Sequence, residues 1–165
     1  MMYKNRLLYW TVKIYSCFIY TGDNLQSLLL LYMRLTWGLE FFRSGLAKLH
    51  GIEKVIAFFY TLHIPHPDFH SHLVAYTETI AGLCLFIGLG SRLAAIPLII
   101  AMCIALSIAH APNLSKWKLF LEPMNLVHET PYPFLMTSLM VFMFGPGKIS
   151  IDAWIKRWVQ KQPKY

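Results

Sequence analysis

Residues 93–109, LAAIPLIIAMCIALSIA, carry no charged side chain. A helix on the surface of a water-soluble protein alternates apolar and polar faces at a period of 3.6 residues. This run offers water no such face, so it must be buried on all sides or bathed in lipid. Three other runs share its character: LLLLYMRLTWGLEFF (28–42), LVAYTETIAGLCLFIGLGS (73–91) and PFLMTSLMVFMFGPG (133–147). A chain of 165 residues has limited interior in which to hide them all. Hydrophobic residues make up 56% of it and charged residues only 14%, whereas soluble domains carry roughly 25% charged residues. Lipid is the natural solvent for such a chain.

A spanning helix needs about 20 mostly apolar residues to cross a hydrocarbon core about 30 Å thick. The runs at 73–91 and 93–111 approach that length as they stand. The first reaches it if its helix extends from Asn24 to about Lys48, and the fourth must begin near Glu129 or be tilted by its neighbours. The expected fold is all-α, an integral membrane four-helix bundle with short interfacial helices.

Three parts follow along the chain: a basic, aromatic interfacial segment (1–24), a four-span membrane domain (25–147) and a basic tail (148–165). The first part resembles a signal peptide only in its basic start. Lys13 interrupts its apolar run, and no small-x-small cleavage site follows. Tyr3, Tyr9, Trp10, Tyr15 and Tyr20, with Lys4, Arg6 and Lys13, suit a helix lying in the membrane interface. Asp23 and Asn24 are expected to cap the first span. Gly51 closes its far end, residues 52–62 read as a short amphipathic helix, and Pro65 and Pro67 stop that helix. Asp68 is expected to cap the second span. GLGSR (88–92) makes a short turn into the third, Gly145–Pro146–Gly147 ends the fourth, and KISIDAWIKRWVQKQ reads as a basic amphipathic tail.

The net charge of +7 speaks for orientation rather than for nucleic acid. With four spans both termini share a side, which collects nine basic residues (Lys4, Arg6, Lys13, Arg92, Lys148, Lys156, Arg157, Lys161, Lys164) against Asp23 and Asp152. The opposite side has five (Arg43, Lys48, Lys54, Lys116, Lys118) with four acids nearby. The positive-inside rule then places both termini in the cytoplasm, with the lipid bilayer as the main partner. Cys17, Cys84 and Cys103 show no C-x-x-C spacing and read as small core residues.

Arg34, Glu40, Glu78, Glu129 and His110 fall within or at the ends of the spans. A charged residue at mid-bilayer costs about 2.5–3.5 kcal/mol on insertion scales, so such residues face the bundle interior and pair. Arg34, Gly38, Phe41, Gly45 and Lys48 recur at helical spacing on one face, whose glycines admit a neighbouring helix. Glu40 lies about 120° away from Arg34 around the helix. Glu78 is placed to meet Lys48 or Arg34. One reading is an Arg34–Glu78 ion pair that fixes helix register. The other is a polar pocket of Arg34, Lys48, Glu78 and Glu129 for a quinone head group, since quinone reduction takes up two electrons and two protons and needs proton donors beside the carbonyl oxygens.

RLTWGLEFFRSGLAKL (34–49), the P-x-P of IPHPDF (64–69), ETIAGLCLFIGLGSRLAA (78–95) and ETPYPFLMTSLMVFMFGPGKISID (129–152) together resemble the DoxX family. The resemblance implies a four-helix membrane protein of bacterial type, in a family named after a membrane subunit of a thiosulfate:quinone oxidoreductase. Carried over by position, it picks out Arg34, Gly38, Gly45, Lys48, Glu78, Gly82, Gly88, Arg92, Glu129, Lys148 and Asp152. It supports a fold more than a chemistry.

HIPHPDFHSH (63–72) places His63, His66, His70 and His72 in the loop between the first two spans. Copper or zinc accepts imidazoles, but the spacing matches no established ligand set, and His70 and His72 stand two apart on a helix. The stretch reads as a turn and helix start, with His50 and His128 near other span ends. Three functions remain: the membrane subunit of a quinone-linked redox complex that docks a soluble redox partner, a non-catalytic anchor or scaffold, and an outer-face metal handler.

Overall fold

The computed structural model describes residues 2–108, 127 and 129–161, with the backbone alone for 2–7. His110, Lys116, Lys118, His128 and Lys164 lie outside the described residues, as does most of the 112–132 connection. Every regular element described is a helix, as the all-α expectation requires. Helix α1 (Met2–Met33) passes through a π-helical segment (Arg34–Gly38) into α2 (Leu39–His50). There follow α3 (Ile52–Thr61), α4 (Pro67–Ile87), α5 (Ser91–Ile108), α6 (Pro131–Phe144) and α7 (Ile151–Gln160). Of these, Ser91–Ile108 is both long and apolar enough to cross a membrane, and Pro131–Phe144 is apolar but shorter.

Two expected caps are corrected. Asp23 and Asn24 lie inside α1 and do not start a helix. An N-cap must leave helical geometry, and nothing there forces the chain out: no proline is near, and an isolated Gly22 costs only about 1 kcal/mol. Thr21 and Ser27 hydroxyls donate to carbonyls four residues back, as they do in an unbroken helix. Asp68 does not cap α4 either. That helix begins at Pro67, preceded by His66 in left-handed geometry, and has no side-chain cap. Proline suits the first helical position because its missing N–H would have had no partner there.

The core is drawn from four helices: Phe41 of α2, Ala81 and Leu85 of α4, Leu98 and Met102 of α5, and Val141 of α6. Phe134 of α6 meets Trp37 and Phe41 edge-on at 5.0 and 4.6 Å, tying α6 to the π segment and α2. Helices α2 and α4 run antiparallel at backbone contact, and glycine is the reason. A methyl group on Gly38 would sit 2.8 Å from the Phe86 nitrogen, and one on Gly82 would sit 2.7 Å from the Phe42 nitrogen. Gly45 lies closer still against Thr79. The glycine stripe expected on the first helix is thus matched by Gly82 on the second. The cysteines depart from expectation, because Cys17 and Cys103 are exposed and Cys84 is half-buried.

The far end of α4 turns on Gly88 and Gly90, both with positive φ. There α7 is clasped to the bundle. The Asp152 carboxylate accepts from the Gly90 and Ser91 amides at 2.7 and 3.0 Å, satisfying the N-terminus of α5, and the Asp152 amide donates to the Gly88 carbonyl. Ser150 caps α7 itself by accepting from the Ala153 amide.

Candidate functional site

The antiparallel register of α2 and α4 sets residue 38 beside 86, 41–42 beside 82 and 45 beside 78–79. One turn beyond Gly45, Lys48 therefore reaches Glu78. Glu78 is 2% exposed. Its Oε2 accepts from the Lys48 ammonium and from the Ser44 hydroxyl, the latter at 3.0 Å. The Lys48 ammonium also donates to Ser44 Oγ at 3.0 Å. Ser44 and Lys48 stand four apart on α2, the spacing at which helical side chains become neighbours. The three groups close a ring in which each donor has an acceptor.

This ring forms part of the wall of a half-open cavity of about 840 Å³ lined by α2, α3, α4, α5 and the start of α6. The rest of the wall is mostly apolar and aromatic, including Phe41, Phe58, Phe59, Pro97, Met102 and Phe134, and His70 and Thr77 add polar groups. A large apolar cavity with a few convergent polar groups is the usual form of a small-molecule site. Chemically, the ring can present an ammonium to a ligand oxygen and exchange a proton through the carboxylate.

Arg34 does not join this site, which corrects the single pocket and the Arg34–Glu78 pair expected from sequence. Fourteen residues of helix separate Arg34 from Lys48, about 21 Å. Arg34 is 2% exposed, and its Nη2 donates to the Ile149 carbonyl at 2.9 Å. The guanidinium packs against Gly88, where any side chain would collide with it. Its Nε and Nη1 have no hydrogen-bond partner among the described residues. Glu129 is half-buried just before α6, and the next two residues, Thr130 and Pro131, line the cavity. Glu40 forms an exposed pair with Arg43 at 3.2 Å, on the outside of α2.

The histidines disperse. His63 and His66 take left-handed backbone geometry in the α3–α4 turn. His70 Nδ1 bonds the His66 carbonyl at 3.1 Å, and His72 Nδ1 bonds the Asp68 carbonyl at 2.8 Å. A carbonyl only accepts, so both rings carry their proton on Nδ1 when neutral. His70 faces the cavity, whereas His72 lines a separate apolar groove between α4 and α5. Among the described residues no three His, Cys, Asp or Glu side chains come together, and a metal needs three or four. His50 Nδ1 likewise bonds the Leu46 carbonyl of its own helix.

Sequence reasoning missed Ser44, and it picked out Asp152 only through the family resemblance, without a role. Ser44 was detectable as the residue one turn before Lys48. Asp152, 62 positions from the amide it accepts, had no such local signal.

An all-helical protein whose apolar cavity holds one lysine–glutamate pair is the class these observations define. The chain belongs to the DoxX family, whose family model matches residues 29–111. That stretch contains Arg34, Ser44, Lys48, His70 and Glu78. Its relatives include the Bacillus subtilis protein named "Putative oxidoreductase CatD", 30% identical over 125 residues that cover 76% of this chain and 85% of that protein. An uncharacterized protein of Haemophilus influenzae is 29% identical over 135 residues, covering 79% of this chain and 84% of that one. No solved structure matches the chain.

Proposed function

We propose that this DoxX protein crosses the inner membrane four times and acts as the membrane subunit of a quinone-linked redox complex, with the Lys48–Glu78 cavity as its quinone site. The membrane part of the reading rests on an apolar outer surface. Ile80 and Leu83 of α4, Leu93 and Ile96 of α5, and Phe142, Met143 and Phe144 of α6 are all exposed. In water so many exposed apolar side chains are a liability, and in lipid they are the solvated face. The 21 residues of α4 extend about 31 Å, a membrane thickness. The 14 residues of α6 reach only about 21 Å, a mismatch met by local bilayer thinning or by flanking residues that reach the interface. In this reading the first span comprises the end of α1, the π segment and α2. Residues 1–24 and 148–165 flank the four-span domain, and both termini lie in the cytoplasm.

The observation that carries the site is the buried Glu78 carboxylate, held by Lys48 and Ser44 in the wall of a mostly apolar cavity. A quinone needs donors at its carbonyl oxygens and an apolar space for its ring and isoprenoid tail. Electrons would come from a soluble redox partner on one side of the membrane. The oxidoreductase name of the Bacillus relative points the same way. The test is purification from the native membrane in mild detergent, followed by solvent extraction and identification of quinone. The expected result is quinone in stoichiometric amount, lost from Glu78→Gln. Arg34→Lys, remote from the cavity, lowers the amount of assembled protein but leaves quinone per folded molecule unchanged. Absence of quinone from the wild-type protein overturns the assignment.

A second reading, a non-catalytic anchor or scaffold, is favoured by one observation: the Lys48–Glu78–Ser44 ring already satisfies itself and ties α2 to α4. It predicts that Glu78→Gln reduces abundance while the partner's specific activity per assembled complex stays constant.

A further inference from the structure

Helix α7 has an apolar face that stands exposed among the described residues. Ile151, Trp154, Ile155, Trp158 and Val159 recur at i, i+3, i+4, i+7 and i+8, the spacing of one helical stripe. All five are exposed, the two tryptophans by 67% and 58%. Only Asp152 and Ala153 of this helix are half-buried, because Asp152 is spent on the Gly90 and Ser91 amides. The helix is thus pinned at its first turn and projects its remainder away from the bundle. Cations flank the stripe: Lys156 beyond one edge, and Arg157 and Lys161 beyond the other. Arg157 is held in place by donating to the Lys148 carbonyl, and Lys148 donates to Asn24 of α1. The single acid of the helix is engaged with backbone amides, so the surface offered outward is basic and aromatic.

We infer that α7 is a docking face for anionic phospholipid head groups at the membrane surface beside the α4–α5 turn. Tryptophan rings settle at the lipid–water boundary, where one end is apolar and the other wet. Lysine and arginine beside such a stripe reach the phosphates while their methylene stems lie along the apolar region. A basic amphipathic helix without acidic neighbours binds anionic lipid in preference to zwitterionic lipid, each cation adding about fivefold to the partition. The Asp152 clasp turns this docking into a constraint on the bundle, since the same carboxylate holds the start of α5. This inference rests on the membrane reading above but not on the quinone site.

The test uses the full-length protein in lipid nanodiscs holding one copy each, made of phosphatidylcholine with or without phosphatidylglycerol. Hydrogen exchange of the α7 amides is read in both. The expected result is slower exchange with phosphatidylglycerol by tenfold or more, and loss of that difference in a Lys156→Gln, Arg157→Gln, Lys161→Gln variant. A Trp154→Ser, Trp158→Ser variant loses protection with either lipid. Equal protection in phosphatidylcholine alone overturns the anionic preference, and no protection in either overturns the docking. Protection seen only in discs holding two copies assigns the face to a second copy of the chain and overturns the proposal. A protein that fails to remain with the discs refutes the membrane reading instead, and vesicle flotation shows that failure separately.

Discussion

Replacing Lys48 by methionine removes the partner of a carboxylate that is only 3% exposed in its side chain. Breaking a buried ion pair costs about 3–5 kcal/mol, because the remaining charge is stranded away from water. Two features place this case near the low end. Lys48 keeps 30% of its side-chain exposure, so water reaches the site, and the Ser44 hydroxyl still donates to Glu78. The expected loss is about 3 kcal/mol, roughly 150-fold in the unfolding equilibrium at 1.4 kcal/mol per tenfold. Adding Glu78→Gln removes the stranded charge, so the double variant should recover about 2 kcal/mol of that loss. The assay is denaturant titration in mixed micelles, followed through the fluorescence of Trp37, which packs against Phe134. Costs that add within about 0.5 kcal/mol would show no coupling between the two residues. That result, or a single-variant cost below about 1 kcal/mol, would refute the buried pair as an energetic unit.

Gly45→Ala would push a methyl group into the Thr79 backbone, and overpacking of this kind costs about 1–3 kcal/mol; the same titration measures it, and a neutral result would mean α2 and α4 are not in contact there. Asp152→Asn keeps one acceptor but loses the charge at the start of α5, at a cost of about 1 kcal/mol, visible as faster hydrogen exchange of the Gly90 and Ser91 amides. Glu40→Gln breaks an exposed pair with Arg43 and should change stability by less than about 0.5 kcal/mol, which separates it from the charges inside the fold.

The all-helical character, the short helix after Gly51, the turn at Gly88–Gly90 and the stop at Gly145–Pro146–Gly147 were all legible in the sequence. These features depend on local rules: apolar runs too long for loops, glycines where φ must be positive, prolines where no amide is needed. Helix starts were less legible. Asp23, Asn24 and Asp68 look like caps in isolation, but a cap acts only where the chain leaves helical geometry, and here the helix either continues or begins on proline.

The site divides along the same line. By itself the sequence determined that Arg34, Lys48 and Glu78 lie on helices with their charges in apolar surroundings, and that Gly38 and Gly45 share a face with two of them. Only the tertiary structure decided who meets whom. The antiparallel register, set where Gly82 of one helix lies between Gly38 and Gly45 of the other, delivers Lys48 to Glu78 and carries Arg34 to the opposite end beside Gly88. Spacing along one helix fixes a face. It leaves open the sliding of one helix past another, and a shift of a single turn, about 5.4 Å, would have carried Glu78 a full turn away from Lys48.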